Sequence, residues 1–403
     1  MDLTPALVGA LPKVVLHDHL DGGLRAQTVL ELSRELGLEV PGTEPGGAHG
    51  GEPSGDLGDE PGTEPGTEPA DGLADEPGTE PGNDRQLPDA QTVADWFHAA
   101  ADSGSLPAYL STFERTVALM QTAPQLRRIA REFVEDMVAD GVVYAETRWA
   151  PHQHTDGGLS LDDAVQAVQD GLDEGVAAAE AAGKRIVVGQ LLCYLRHLDP
   201  TDDLVDIART RRDSGVVGLD LAGPEDGFPA SWFRAQFEAA REAGLRVTIH
   251  AGEADGPSSI ADALDCGAER IGHGVRLIED ATDDELGPVA QRVHREQICL
   301  EVCPSSNLQT GIAEELADHP VDRLRRHGFA LALSSDNRLM SRTRTSREML
   351  LVARTFDWSL SDLEQVVLTG LENGFAPAEQ RAALRDEVVL PAFRALDGAG
   401  PEA

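Results

Sequence analysis

Eight short apolar runs rich in β-branched residues, each followed by a stretch with helical spacing, constrain this chain more than any other feature of its sequence. The runs lie at 13–18, 141–148, 185–193, 216–221, 245–250, 269–273, 297–302 and 329–335. Helical patterns occupy 24–36, 91–102, 107–121, 124–140, 160–182, 201–213, 230–243, 258–266, 282–294, 321–327 and the chain from 345 onward. Strands that read as apolar on both faces belong in a parallel sheet covered by helices. Eight β-then-α units predict an α/β fold, a (β/α)8 TIM barrel with extra helices, formed by a single domain over 1–403. A doubly wound open sheet competes with this reading. It would place a glycine-rich phosphate turn after the first strand, and Asp21-Gly22-Gly23 lacks the full Gly-x-Gly-x-x-Gly spacing.

One segment stands apart from the alternation. Residues 41–90 repeat Pro-Gly-Thr-Glu-Pro with almost no large apolar side chain, and they carry thirteen acidic residues against Arg85 alone. Burial in such a composition cannot offset the entropy of ordering, so a disordered acidic insertion is expected after the first strand-helix unit. An expanded repeat that folding tolerates is preferred over a partner-binding arm, because long loops close at small extra cost. The formal net charge of −38 extends well beyond this segment. A surface that acidic repels phosphate backbones and anionic lipid, which excludes nucleic acid and membranes as main partners and favours a small neutral or cationic ligand.

The four cysteines, Cys193, Cys266, Cys299 and Cys303, form no Cys-x-x-Cys pair, which argues against a disulfide framework and a thiolate zinc cluster. Met1-Asp2-Leu3-Thr4-Pro5 carries no basic n-region, and no apolar run reaches the roughly 18 residues of a membrane span. A cytoplasmic location without a signal peptide is expected.

A barrel makes a specific demand. Its catalytic groups sit at the C-terminal ends of the strands, where the βα loops build the site. The first run ends in His17-Asp18-His19, and side chains two apart on a strand project from one face. The fifth ends in His250-Ala251-Gly252-Glu253, the sixth in Gly272-His273-Gly274, and the eighth in Ser334-Ser335-Asp336-Asn337. Taken singly, His273 reads as a turn histidine and Asp336 as a helix N-cap. Four of eight ends bearing imidazoles or carboxylates suited to metal ligation or proton transfer point to one shared site.

Seven segments in order, Lys13 to Gly22, Gly141 to Pro151, Leu219 to Gly223, His250 to Glu253, Arg270 to Gly274, Cys303 to Asn307 and Ser335 to Asn337, resemble the adenosine deaminase family of the metal-dependent amidohydrolase superfamily. The resemblance implies a (β/α)8 barrel holding one zinc ion per subunit. It makes His17, His19 and His250 the nitrogen ligands and Asp336 the carboxylate ligand, with a position left for water. It makes His273 the group that orients this water and takes its proton, and Glu253 a protonated acid that gives a proton to the purine N1. Asp21 would contact the ribose 5'-hydroxyl, and Gly223 would reach N3 through its backbone N–H. Leu106, Tyr109, Leu110 and Phe113 would form a hydrophobic gate, although the same spacing serves any helix packed on a core. Asn337 stands where many members carry a second Asp, and its amide can still donate to N7.

No lysine lies beside Asp220 at the end of the fourth strand, which favours one metal over two. His152, His154 and His197 are assigned no ligand role. The His-x-Glu with Pro-Cys-x-x-Cys pattern of the nucleobase deaminases is missing. The expected partner is a small purine nucleoside. The expected reaction turns adenosine or 2'-deoxyadenosine into inosine or 2'-deoxyinosine plus ammonia, in purine salvage. The alternatives are a deaminase of adenine or a modified adenosine, and a non-catalytic binding protein.

Overall fold

A computed structural model describes residues 3–43, 88–282 and 284–397. Eight parallel strands follow one another in chain order: β1 Lys13–His19, β2 Val142–Trp149, β3 Val187–Leu195, β4 Val216–Ala222, β5 Arg246–Ala251, β6 Arg270–His273, β7 Cys299–Val302 and β8 Leu331–Leu333. Each pairs in parallel with the next. The ring closes just past β8, where the Asp336 N–H donates to His17 O at 3.0 Å and the His19 N–H donates to Asp336 O at 2.9 Å. This is the TIM barrel anticipated from the alternation.

Val-Val pairs open β2, β3 and β4, stiff at χ1 and suited to a pleated surface covered on both sides. Inside the barrel the packing is ionic. Arg148 on β2 reaches Asp220 on β4 at 2.9 Å and Glu301 on β7 at 2.6 Å, and Arg270 on β6 reaches Glu301 at 2.6 Å and Glu146 at 2.5 Å. Removing one member of such a buried set costs about 3–5 kcal/mol, because the partner is left as an uncompensated charge. At the opening of β1, the Lys13 ammonium donates to the carbonyls of Gly9, Leu11 and Asp140 at 2.9, 2.7 and 2.6 Å.

Several boundaries differ from expectation. The helix expected over 107–121 is two short ones, Leu106–Leu110 and Phe113–Val117. The Ser111 and Thr112 hydroxyls bond back to the carbonyls of Ala108 and Tyr109 at 2.7 Å each, competing with the helical ladder. The helix expected over 282–294 is Pro288–Glu296, preceded by a 3-10 turn over Val275–Asp280; the Asp280 carboxylate caps it by accepting from Val289 and Ala290 N–H. The last strand is shorter than 329–335, since the chain leaves it to present Asp336. Two helices of six residues, Pro5–Ala10 and Pro304–Gln309, are too short to show periodicity. The C-terminal helical region contains one π turn, Arg385–Val389. Most of the acidic insertion, 44–87, lies outside the described residues.

Candidate active site

Alternation along β1 sends His17 and His19 to the barrel mouth, while Asp18 turns away to accept from Ser335 Oγ at 2.8 Å and Arg338 Nε at 2.9 Å. His17, His19 and Asp336 each present a ligand-type atom, all within 4.8 Å of one another. His250 joins them, its Nε2 being 3.2 Å from His19 Nε2. Carboxylates behind two of the rings set their tautomers. His17 Nδ1 donates to Glu301 Oε2 at 3.0 Å, and His250 Nδ1 donates to Asp220 at 3.1 Å. Each ring therefore turns an Nε2 lone pair inward. Burial lowers the pKa of His250 and takes that of His19 down to about 3, so both are neutral. Burial opposes ionisation of Asp336, yet its contacts with His17 and His19 hold its pKa well below the carboxylate range. His17 Nε2 and Asp336 Oδ1 are buried 3.4 Å apart and have no hydrogen-bond partner among the described residues. With His17 Nδ1 committed to Glu301, a divalent cation would satisfy both the His17 Nε2 and the Asp336 carboxylate, so the residues present fit a metal.

His273 and Glu253 stand beside this set. The His273 and His17 ring centroids are 4.6 Å apart, and His273 Nε2 lies 3.4 Å from Glu253 Oε2. A Cβ on Gly272 would come 3.1 Å from both His17 Cε1 and His250 Cα, tighter than ordinary van der Waals contact, so a side chain there would press on both histidines. His273 and Asp336 hold φ of 59° and 58°, a strained conformation that persists where surrounding contacts over-determine it. Glu253 is buried, and desolvation, aided by the charges of Asp336 and Glu225, pushes its pKa well above the ordinary Glu value. Its Oε1 accepts from Thr310 Oγ1 at 3.0 Å and Asn307 Nδ2 at 3.4 Å, which leaves the acid proton to Oε2. The loop is fixed from behind: the Glu225 carboxylate accepts the N–H groups of Gly252, Glu253, Ala254 and Asp255 at 2.6–3.1 Å, and the Ser259 hydroxyl.

A cavity of about 290 Å³ opens beside His19, with Asp21, Gly223, Leu110 and Phe113 among its lining residues. Leu106 and Tyr109 do not line it. Both are buried, and Tyr109 Oη lies 3.4 Å from Ser341 Oγ. The expected gate thus divides into a cavity-facing pair and a packed pair. Asn337 is buried over Gly22, and its Oδ1 has no hydrogen-bond partner among the described residues. Of the three histidines assigned no ligand role, His152 pairs with Asp203 at 3.0 Å, His197 lines the cavity, and His154 is buried 3.6 Å from Asp21. Glu225, Glu301 and His319 were missed. An acid inside the apolar strand Cys299–Val302 was a readable signal for Glu301; for the other two the sequence offered none.

The sequence model of the adenosine deaminase family matches residues 80–391. The chain is 43% identical over 395 residues to an adenosine deaminase of Mycobacteroides abscessus, covering 96% of each chain. It is 41% identical over 399 residues to adenosine deaminase 1 of Streptomyces coelicolor, covering 98% of this chain and 90% of that one. Among solved structures, it is similar to the N6-mAMP deaminase of Arabidopsis at 25% identity and a TM-score of 0.73, covering 97% of this chain and 99% of that one. It shares its fold with an amidohydrolase of Burkholderia ambifaria solved with bound Zn, at 23% identity and a TM-score of 0.77, covering 99% and 96%. With these likenesses covering nearly the whole chain, the chain belongs to the adenosine deaminase family.

Proposed function

We propose that this chain is a metal-dependent deaminase that hydrolyses adenosine and 2'-deoxyadenosine to inosine and 2'-deoxyinosine with release of ammonia, within purine salvage. The observation that carries the reading is the convergence of His17, His19, His250 and Asp336, from the three strand ends of β1, β5 and β8, at one barrel mouth beside Glu253, whose burial raises its pKa. These four residues would hold one zinc ion. A bound zinc supplies Lewis acidity that brings the pKa of water close to neutrality. Glu253 Oε2 carries a proton suited to the purine N1, and protonation there withdraws electrons from C6. His273, next to both His17 and Glu253, would orient the water that attacks C6. Asn337 would donate its amide hydrogen to N7, and Gly223 its backbone N–H to N3.

The cavity favours a nucleoside over a nucleotide. Its lining includes Asp21 and Glu114 and, among the described residues, no Lys or Arg, so a 5'-phosphate would meet like charge, whereas a 5'-hydroxyl can donate to Asp21. Gate residues Leu110 and Phe113 would cover the base, with Leu106 and Tyr109 supporting them from behind. Purified protein assayed on a substrate panel, with metal analysis in parallel, tests the reading. Adenosine and 2'-deoxyadenosine turned over faster than adenine or AMP supports it; adenine preferred over adenosine overturns it in favour of an adenine deaminase.

A further inference from the structure

Among the described residues, one buried histidine outside the site is wired into it. His319 follows the 3-10 turn Leu316–Asp318, is 2% exposed, and touches none of the residues assigned to the metal. The Val321 backbone N–H donates to His319 Nδ1 at 3.1 Å. A backbone amide can only donate, so His319 Nδ1 is the acceptor nitrogen and, in the neutral ring, Nε2 bears the hydrogen. Burial takes the His319 pKa down to about 3, which keeps the ring neutral. Its Nε2–H meets Asn307 Oδ1 at 3.3 Å. That contact fixes the direction of the Asn307 amide, because the reverse orientation would set two donors against each other. The Asn307 Nδ2 then points the other way. It spends one hydrogen on Glu253 Oε1 at 3.4 Å and the other on His273 Nδ1 at 3.1 Å.

We infer that His319 is a positioning residue that locks His273, through Asn307, in the neutral tautomer with hydrogen on Nε2. The inference deepens the deaminase reading and rests on it for the meaning of the tautomer. With Nδ1 occupied as an acceptor and Nε2 already protonated, His273 has no inward lone pair. It holds the attacking water by donating to the oxygen, and the proton that the water gives up goes to the neighbouring Asp336 carboxylate and not to His273. This differs from the proton-accepting role that family resemblance implied. The chain of direction starts at a backbone N–H and passes through an amide whose donors and acceptor are all used, so each link leaves one choice for the next.

Direct reading of the tautomer tests this. Zinc-loaded full-length protein labelled with 15N-histidine would be examined by long-range proton–nitrogen correlation, with the His273 peaks assigned by their loss in His273→Asn. The expected spectrum has an unprotonated Nδ1 and a protonated Nε2; a proton on Nδ1 overturns the inference. His319→Leu should lower kcat on the order of tenfold to a hundredfold, with KM near wild type, zinc content intact and the single tautomer lost. His319→Gln retains an N–H for Asn307 and should restore most of kcat and the tautomer. If His319→Leu does not fold, the wild-type spectrum and His319→Gln still decide. Unchanged kcat in folded His319→Leu, or a wild-type His273 spectrum in that variant, overturns the inference. Because the wild-type spectrum can be read whether or not adenosine is consumed, failure of the tautomer and failure of the deaminase assignment are separable.

Discussion

His17 Nδ1 lies 3.0 Å from Glu301 Oε2, with both side chains fully buried. The carboxylate fixes the ring tautomer and leaves Nε2 as an inward lone pair; it also accepts from Arg148 Nη2 at 2.6 Å, while Glu301 Oε1 accepts from Arg270 Nε at 2.6 Å. Glu301→Gln should therefore weaken zinc binding about 10–100-fold. Metal titration against a competing chelator reads the change, and an unaltered affinity would separate Glu301 from the metal set.

Chelation should destabilise the wild-type protein. A cation that binds only the folded state contributes about 2.7 kcal/mol when present at 100 times its dissociation constant. The thermal midpoint should fall on adding chelator and recover with zinc, while Asp336→Ala should show little response to either.

Glu253→Gln should reduce kcat by about 10²–10⁴-fold with zinc still bound, since the amide keeps the shape and loses the acid proton. Loss of zinc in this variant would mean that the residue has another role. Burial raises the Glu253 pKa, so the folded chain keeps a proton that the unfolded chain releases above its ordinary value of 4.5. Stability therefore falls as pH rises from there toward the folded pKa, and activity is lost as pH rises through that folded pKa. Glu253→Gln removes the stability slope and should raise the melting temperature at neutral pH, which calorimetry across pH would show.

Asp21→Ala should raise KM for adenosine and leave the weak use of adenine nearly unchanged, because the carboxylate would touch only the sugar. One lost hydrogen bond to a charged group is worth about 1.5–3 kcal/mol, or roughly 10–150-fold in kcat/KM. The same variant should discriminate less against AMP. Steady-state kinetics on the three compounds checks both statements.

Much of this architecture was legible in the chain itself. The β-branched runs and the helical spacing between them anticipated all eight strands, because burial on both faces leaves a long apolar signature. The candidate residues His17, His19, His250 and Asp336 could be picked out because a barrel places chemistry at strand ends. The split of 107–121 was hidden, since hydroxyls at Ser111 and Thr112 break a ladder that periodicity alone continues. Asn307, though inside a recognised segment, showed its role only once His319 and His273 were brought to either side of it. Glu225 was hidden for a like reason: its partners are backbone N–H groups of a loop 27 to 30 positions away, and no residue type records them. Local chemistry is written in residue types, whereas a cap supplied from another loop is written only in the fold.

The central claim is that four residues from three strand ends hold one cation. Zinc titration of the wild-type chain and of His17→Ala, His19→Ala, His250→Ala and Asp336→Ala tests it most directly. The account predicts one zinc per wild-type chain and a large loss of affinity in every variant. Wild-type affinity retained by His250→Ala or Asp336→Ala, in a folded protein, would contradict it.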